Sequence, residues 1–262
     1  MNYKNIIFEK KHGVAKITLN RPEALNAMNR DMISEIGHAL EDAEKDNEVR
    51  VVVITGNGRA FCVGVDLKHA KEELGSLSAQ QEFFRFANRT LVNNIENLSK
   101  PVIAAVNGFA LAGGFELMLA CDLVIASEDA LIGDQHINFG LVGPGGSTQR
   151  TPRIVGIRKA KEIILIGEKL SAKEAERIGL VNRAVPADQL ERTIDDMAAK
   201  LAEKSPVALR IAKALINRSL QVDLSTGSEL EVMSAIVNAS SEDYQEGIRA
   251  FNEKRKPVFK GR

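Results

Sequence analysis

The sequence has little of what marks a secreted, membrane or metal-binding protein. Its two cysteines, Cys62 and Cys121, stand far apart in apolar runs, which is neither a disulfide framework nor a metal-binding pattern. No apolar run is long enough to cross a bilayer, and the N-terminus lacks the charged and then apolar segments of a secretion signal. We therefore expect an unprocessed, soluble protein of a reducing cytoplasm.

Net charge and cofactor motifs are also missing. Lysine plus arginine number 35, as do aspartate plus glutamate, so no net charge favours binding to nucleic acid or to an anionic membrane. The glycines at residues 143–146 lack the spacing of a dinucleotide-binding loop, and no group of ligand-type residues has the spacing of a metal site. We expect neither a metal nor a redox cofactor.

What the sequence does contain is an alternation of strand-like and helix-like segments. Residues 6–9 and 14–19 predict a β-hairpin, and apolar, β-branched runs at 51–55, 101–106 and 123–126 predict buried strands. Amphipathic helical patterns lie between these later runs. Strands that alternate with helices are typical of parallel βα units, so the expected fold class is α/β.

The C-terminal part of the chain has a different pattern. Residues 206–251 are helix-forming throughout and contain few turn signals. A chain of 262 residues fits one large domain with a smaller addition, because domains usually have about 50–250 residues. We predict a core over residues 1–200 and a C-terminal helical region over residues 201–262.

The most informative segment is residues 112–116, Ala-Gly-Gly-Phe-Glu, which lies between a strand-like run and a helix-forming run. N–H groups in the first turn of a helix have no partner within it, and they stabilise a negatively charged oxygen. Glu116 lies three residues after Gly113 and faces the same side. A glycine pair is often only a tight turn, but a carboxylate in apolar surroundings requires a function or a partner. The segment therefore indicates a site that stabilises an enolate.

Longer stretches resemble one protein family. Residues 60–67 (Ala-Phe-Cys-Val-Gly-Val-Asp-Leu) and 107–122, together with 18–27, 145–150 and 253–259, resemble the crotonase (enoyl-CoA hydratase/isomerase) superfamily in order and spacing. The resemblance covers the whole chain. It implies a spiral of ββα units with a C-terminal helical region used for trimerisation, in a homotrimer or a dimer of trimers. It also implies an acyl-CoA thioester substrate, so that CoA arrives as part of the substrate and not as a separate cofactor.

The resemblance implies which residues bind this substrate. In the family, two backbone N–H groups hold the thioester oxygen, and the matching residues here are Val65 and Gly113. Removing one such donor typically lowers the rate by about 10²–10³. The resemblance places pantetheine and adenine along a set of loop residues and the phosphates near a basic one, in this chain Ala24, Leu25, Val63, Asp66 and Leu67, with Lys68 as the basic residue.

The sequence departs from the family at a catalytic position. Hydratases of the family use two glutamates, of which one matches Glu116 and the other, twenty residues further on, is His136 here. Adding water to a conjugated thioester needs a base for the water and an acid for the α-carbon, and imidazole can perform either task near neutrality. Asp134 is an alternative replacement for the missing carboxylate. A third interpretation is that His136 only lines the pocket, where Asn138 and Phe139 would shape the acyl site.

Hydration of a 2-enoyl-CoA, or the reverse dehydration of a 3-hydroxyacyl-CoA, is the function we expect. Glu116 would activate or expel water, and His136 would hold that water or deliver the α-proton. The altered partner suggests a branched, cyclic or polar acyl group. Alternatives are another enolate reaction, such as decarboxylation or thioester hydrolysis, and a catalytically silent acyl-CoA-binding protein. Double-bond isomerisation is disfavoured, because isomerases of the family usually keep the second carboxylate and dispense with the first.

The remaining polar residues are expected to be structural. Asp122 is expected to pack behind the helix that contains Glu116. His12, His38 and His69 have no catalytic neighbours in the sequence, and we expect them at the surface or hydrogen-bonded within the protein.

Overall fold

The computed structural model of the chain describes residues 3–68 and 74–262. His12 and His38 are exposed, as expected, and the prediction for His69 lies outside the described residues. Within the described residues the strands are β1 (Ile6–Lys11), β2 (Val14–Leu19), β3 (Val51–Gly56), β4 (Ala60–Cys62), β5 (Val102–Val106), β6 (Phe109–Leu111), β7 (Leu123–Ser127), β8 (Leu131–Gly133), β9 (Leu170–Ser171) and β10 (Arg183–Val185).

Helices follow most of these strands. In the same part of the chain the α-helices are α1 (Arg30–Lys45), α2 (Leu77–Ala87), α3 (Asn94–Asn97), α4 (Gly113–Ala120), α5 (Ser147–Val155), α6 (Ile157–Ile166), α7 (Ala172–Arg177), α8 (Leu190–Ala202), α9 (Pro206–Arg218), α10 (Leu224–Ala239) and α11 (Glu242–Asn252). A π-helical segment, Asn88–Asn93, joins α2 to α3. Short 3₁₀-helices are formed by Pro22–Ala24, His136–Phe139 and Ala187–Gln189.

The described strands form two sheets. In the larger one, six strands have the order β1-β2-β3-β5-β7-β10, where β1 and β2 form the predicted hairpin and all later pairs are parallel. The predicted βα units are therefore confirmed. The smaller sheet has the order β4-β6-β8-β9. The sequence does not predict this second sheet, because strands of two or three residues are too short to show a period of two.

The larger sheet separates two apolar layers. Successive side chains of a strand point to opposite faces. On β3, Val52 and Ile54 therefore belong to the main core, which also contains the buried face of α1. Val51 and Val53 lie on the other face and pack in the cluster that contains Ile194 of α8. Helices thus cover both faces of the larger sheet, with α1 on one face and α8 on the other.

The boundary predicted at residue 200 falls inside α8, which packs on the sheet. A boundary between α8 and α9 agrees better with this packing, and the division of the chain into two regions stays a prediction.

Lys213 of α9 joins the two parts: its Nζ donates hydrogen bonds to Ile95 O at 2.9 Å, Lys100 O at 3.2 Å and Asp122 Oδ2 at 2.7 Å. Asp122 also accepts from the N–H of Val102 at 2.7 Å, which is the structural role expected for it.

The C-terminal helices expose apolar side chains. On α10, Val232, Met233, Ile236 and Val237 are each between 55% and 61% exposed. An apolar surface of this kind is typical of an interface between proteins. Among the described helices, none combines the length and the apolar character that a membrane crossing requires.

Candidate active site

The loop after β4 and the start of α4 lie against each other. A Cβ atom built on Gly64 would be 2.9 Å from the amide nitrogen of Gly113, and Gly64 has a φ of +106°. This backbone conformation and the close approach both favour glycine. The two segments that contain Val65 and Gly113 are therefore in direct contact.

Val65 is held by a short pairing with the loop before α1. The N–H of Met28 donates to Gly64 O at 2.7 Å, and the N–H of Asp66 donates to Met28 O at 2.9 Å. In this parallel pairing the N–H of Val65 points away from Met28. Within residues 3–68 and 74–262, it has no hydrogen-bond acceptor.

Gly113 follows a strained residue. Ala112 has φ 49° and ψ −120°, a backbone conformation that residues with a side chain rarely adopt and that is often found at functional sites. A Cβ atom on Gly114 would lie 2.0 Å from Cys62 O, so only glycine fits there. As the first residue of α4, Gly113 has an N–H that no acceptor in the described residues satisfies.

Glu116 is a buried carboxylate in the first turn of α4. It is 4% exposed, and its Oε1 accepts a hydrogen bond from the N–H of Ser147 at 3.2 Å. Burial raises the pKa of Glu116, and the nearby His136 ring and the Ser147 amide offset this rise only in part. A carboxyl group with a raised pKa can exchange a proton with a substrate more readily than an ordinary one.

His136 and Asp134 form a pair. Nδ1 of His136 lies 2.6 Å from Oδ1 of Asp134, and the backbone N–H of His136 donates to the same oxygen at 3.0 Å. Burial alone would lower the pKa of His136, but the hydrogen bond to Asp134 and the charges of Asp134 and Glu116 raise it. Burial alone would raise the pKa of Asp134, but its hydrogen bonds with His136 lower it.

A glycine-rich loop covers both catalytic candidates. A Cβ atom on Gly143 would lie 2.7 Å from Oε1 of Glu116 and 2.7 Å from Cε1 of His136, and one on Gly145 would lie 2.6 Å from Oε2 of Glu116. The two side chains are therefore close to each other across this loop. In the sequence these glycines lack the spacing of a dinucleotide-binding loop, and residues 145–150 resemble the family, but neither observation predicts their contact with Glu116. Glycines separated by a single residue, just after His136, are the signal that predicts a close approach.

The loop is tied to its surroundings by two side chains. Asn88, at the start of the π-helical segment, donates from Nδ2 to Pro144 O at 2.7 Å. Arg150 donates from Nη1 to Gly145 O at 3.0 Å and pairs through Nε with Glu96 at 2.7 Å. The sequence does not predict Asn88 as part of the site, because the π-helical segment has no distinct pattern.

These residues surround a cavity of about 280 Å³. Val65, Gly113, Glu116 and His136 all contribute to its lining. Its other walls are mostly apolar, and they include Met28, Ile33, Phe83, Phe84, Leu91 and Val92. An apolar cavity with a few convergent polar groups is typical of a small-molecule site.

Only some of the six residues expected along CoA are part of the cavity lining that the structure describes. Val63 and Leu67 line the cavity, whereas Ala24 and Leu25 are half-buried in the loop before α1. Lys68 is exposed.

Asp66 is buried and forms an ion pair with Nη2 of Arg21 at 2.8 Å. Its side chain therefore holds the loop that contains Val65. Contact of these six residues with CoA stays a prediction.

Two neighbours of His136 were expected to shape the acyl site. Phe139 lines the cavity and is 74% exposed. Asn138 is not part of the lining that the structure describes; its Nδ2 donates to Gly167 O at 2.8 Å and so fixes the 3₁₀-helix to the end of α6. For metals, the described residues contain no group of three histidine, cysteine, aspartate or glutamate side chains that could hold an ion.

Comparison with known proteins gives consistent results. A sequence model of the enoyl-CoA hydratase/isomerase family matches residues 9–262. The chain is 39% identical to the short-chain-enoyl-CoA hydratase of Clostridium acetobutylicum, over 98% of this chain and 97% of that protein. It is 37% identical to the crotonyl-CoA hydratase of Syntrophomonas wolfei, over 99% of each chain. A crystal structure of enoyl-CoA hydratase from Bacillus anthracis superposes with a TM-score of 0.94 at 38% identity and covers 99% of this chain and 100% of that one.

Proposed function

Because the chain belongs to the enoyl-CoA hydratase/isomerase family and is an enzyme of the hydratase type, we propose that it adds water to a 2-enoyl-CoA through an enolate, or catalyses the reverse reaction. The observation that carries the proposal is the buried Glu116 carboxylate. It shares one cavity with the amides of Val65 and Gly113, neither of which has an acceptor among the described residues. The crotonase fold, with its two mixed sheets and C-terminal helices, is that of the enoyl-CoA hydratases.

The two amides would bind the thioester oxygen. When water attacks the β-carbon, the electrons of the double bond move to this oxygen and an enolate forms. Two preorganised N–H donors stabilise the developing negative charge, and each typically contributes about 10²–10³ to the rate. The partial positive charge at the start of α4 acts in the same direction.

Glu116 would act on the water and His136 on the α-carbon. The carboxylate of Glu116 accepts a proton as the water oxygen bonds to the β-carbon. Its raised pKa supports this role, because a stronger base removes the proton more effectively. His136 lies beside Glu116 and lines the same cavity, so its ring is placed to assist on the neighbouring carbon.

The substrate would be an acyl-CoA with a small acyl group. The apolar walls of the cavity support an apolar acyl chain, and the two named relatives act on short-chain enoyl-CoA and crotonyl-CoA. Pantetheine would then follow Val63 and Leu67 out of the cavity. Because His136 stands where the family has a glutamate, branched, cyclic and polar acyl groups are further candidates.

The exposed apolar face of α10 supports assembly into a homotrimer or a dimer of trimers. Buried apolar area is the main driving force of stable association. The cytoplasm is the compartment we propose for the protein, because its two widely spaced cysteines fit a reducing environment.

Turnover of crotonyl-CoA, measured by the loss of its enoyl absorbance, tests the proposed function. Wild type is compared with Glu116→Gln and His136→Gln, and the matched controls are Glu203→Gln and His38→Gln, which change exposed residues. We expect the turnover rate of both cavity variants to fall by a factor of roughly 10²–10⁴, and that of the controls to stay at the wild-type value. Full turnover by Glu116→Gln would contradict the proposal.

The alternatives are separated by their products. Release of carbon dioxide from a carboxylated acyl-CoA would indicate decarboxylation, and release of free CoA would indicate thioester hydrolysis. Tight binding without turnover, over a panel of straight, branched, cyclic and carboxylated CoA thioesters, would indicate a silent binding protein.

A further inference from the structure

We propose that Asp134 is a positioning residue, which fixes the ring of His136 so that its Nε2–H delivers the proton to the α-carbon of the enolate. The inference rests on the proposed hydratase function. Of the two tasks considered for His136, delivery of the α-proton is the one assigned here. His136 and Asp134, which the sequence presents as alternatives, act as one unit.

The geometry of the pair supports this role. Oδ1 of Asp134 accepts two hydrogen bonds from the same residue, one from the His136 ring at 2.6 Å and one from its backbone N–H at 3.0 Å. Asp134 is only 2% exposed, and the side chain of His136 is 13% exposed. Two bonds to one buried oxygen fix both the backbone and the ring of His136, so the ring cannot turn without breaking one of them.

The hydrogen bond at Nδ1 determines which ring nitrogen is available. Because Nδ1–H donates to Asp134, the other nitrogen, Nε2, remains for a ligand. In the described part of the chain, no acceptor or donor is bonded to it. His136 also lines the cavity. A ring held in this way presents Nε2 to the substrate.

The charges around the ring favour its protonated form. Asp134 faces it from the segment after β8, and Glu116 faces it from α4; both carboxylates stabilise the imidazolium. The start of α5 also lies close by, and there the Ser147 N–H donates a hydrogen bond to Glu116. Since both ring nitrogens of an imidazolium donate, the ring can keep its bond to Asp134 and still give a proton from Nε2.

The proton balance of the reaction follows from these roles. Water gives one proton to Glu116 as its oxygen bonds to the β-carbon, and the double-bond electrons move to the thioester oxygen. When the carbonyl re-forms, the α-carbon takes a proton from Nε2, so that His136 becomes neutral. Transfer of the proton from Glu116 to His136, directly or through water, restores both groups. The net change is the addition of one water molecule.

Asp134→Asn tests the inference, with two readouts. NMR titration of the histidine rings, assigned with His136→Gln, reports the pKa of His136 without any need for activity. We expect this pKa to fall in Asp134→Asn, because the negative charge is lost and the ring loses its acceptor. In the plot of kcat against pH with crotonyl-CoA, the alkaline limb is expected to move to lower pH in parallel. We expect kcat to fall by about 10²-fold, the lower end of what general acid–base catalysis contributes.

Asp134→Glu keeps the carboxylate and is expected to recover part of the kcat and of the raised pKa. A His136 titration and an alkaline limb that are both unchanged in Asp134→Asn would overturn the inference. If Asp134→Asn does not fold, the nitrogen chemical shifts of the His136 ring in wild type test the inference instead. A neutral ring whose Nδ1 carries no proton would overturn the inference. If the titration shifts as expected but wild type hydrates no enoyl-CoA, the pair is retained and the proposed function is wrong.

Discussion

Glu116 is a carboxylate placed where ionisation opposes folding. Its side chain is buried beneath the glycine-rich loop and accepts a hydrogen bond from the Ser147 amide. Burial raises its pKa above that of a glutamate in an unfolded chain. The contribution of this group to stability is therefore complete at pH below the ordinary value and is lost as the pH rises through the raised value. The charge that the proposed mechanism requires on Glu116 weakens the fold at neutral pH.

This conflict predicts the effect of Glu116→Gln on stability. Glutamine does not ionise, so at pH 8 the variant is expected to be more stable than wild type by about 1 kcal/mol, which raises Tm by roughly 2–4 °C. At pH 4 the difference is expected to vanish. Thermal unfolding at the two pH values measures this, with Glu203→Gln as an exposed control. A variant that is less stable at pH 8 would show that the negative charge is favourable in the fold.

The raised pKa values of Glu116 and His136 together predict how the activity of wild type depends on pH. The proposed mechanism needs Glu116 ionised and His136 protonated. Because both pKa values are raised, the acid limb of the profile is expected above the ordinary range of a glutamate and the alkaline limb above that of a histidine. The measurement is kcat/KM against pH with crotonyl-CoA. Activity that stays constant far into the alkaline range would exclude His136 as the proton donor.

At the scale of elements, the π-helical segment Asn88–Asn93 connects the cavity wall to the loop above Glu116. Such segments are rare and are often found at functional sites. Here the segment contributes Leu91 and Val92 to the cavity, while Asn88 holds the carbonyl of Pro144. The glycine-rich loop has little side-chain packing of its own, so this bond helps to keep it over Glu116.

Asn88→Ala is therefore expected to lower kcat/KM by roughly 5–10-fold, the effect of about 1 kcal/mol for one lost hydrogen bond. Asn97→Ala is the matched control, because Nδ2 of Asn97 also donates to a backbone carbonyl, that of Asn93, at 2.7 Å. Asn97 is exposed and is not part of the cavity lining that the structure describes. Steady-state kinetics and thermal unfolding are measured for both. Equal activity of the two variants would show that the bond to Pro144 does not position the loop.

At the scale of the whole molecule, the C-terminal helices leave apolar area uncovered. α9 is joined to the core through Lys213, whereas α10 exposes a row of large apolar side chains. Water around such a row is unfavourable, and a second copy of the same surface can remove it. The proposed trimer would give these helices the packing that the single chain lacks.

Analytical ultracentrifugation is expected to show wild type at three or six times the mass of the chain. Ile236→Lys places a charge on the exposed face of α10 and is expected to shift the distribution towards the single chain. Ile7→Lys is the control, because Ile7 is also partly exposed but lies on β1, away from the C-terminal helices. A wild type that sediments as a single chain would contradict the proposed assembly.

Much of the fold was predictable because its signals are local. The alternating pattern of β2 and the continuous apolar runs of β3 and β5 follow from burial on one face or on both. The N-terminal cap of α7 is equally local: Ser171 with a glutamate three residues later is the pattern of a capping box, and the Ser171 hydroxyl accepts from the N–H of Glu174 at 3.2 Å. The smaller sheet was not, because its strands are short and pair only through tertiary contacts.

The sequence by itself determined the α/β class, the resemblance to crotonases, and the position of Glu116 at the start of a helix after two glycines. The fold class and the position of Glu116 depend on neighbours within a few residues, and the resemblance depends on short motifs in order along the whole chain. Only the tertiary structure decided the strained backbone of Ala112, the glycine-rich loop against Glu116, and the Asp134–His136 pair. An extended chain would point Asp134 and His136 to the same side without joining them. The turn at Gln135, with φ −102° and ψ 2°, brings the ring back to the carboxylate, and such a turn depends on the packing around it.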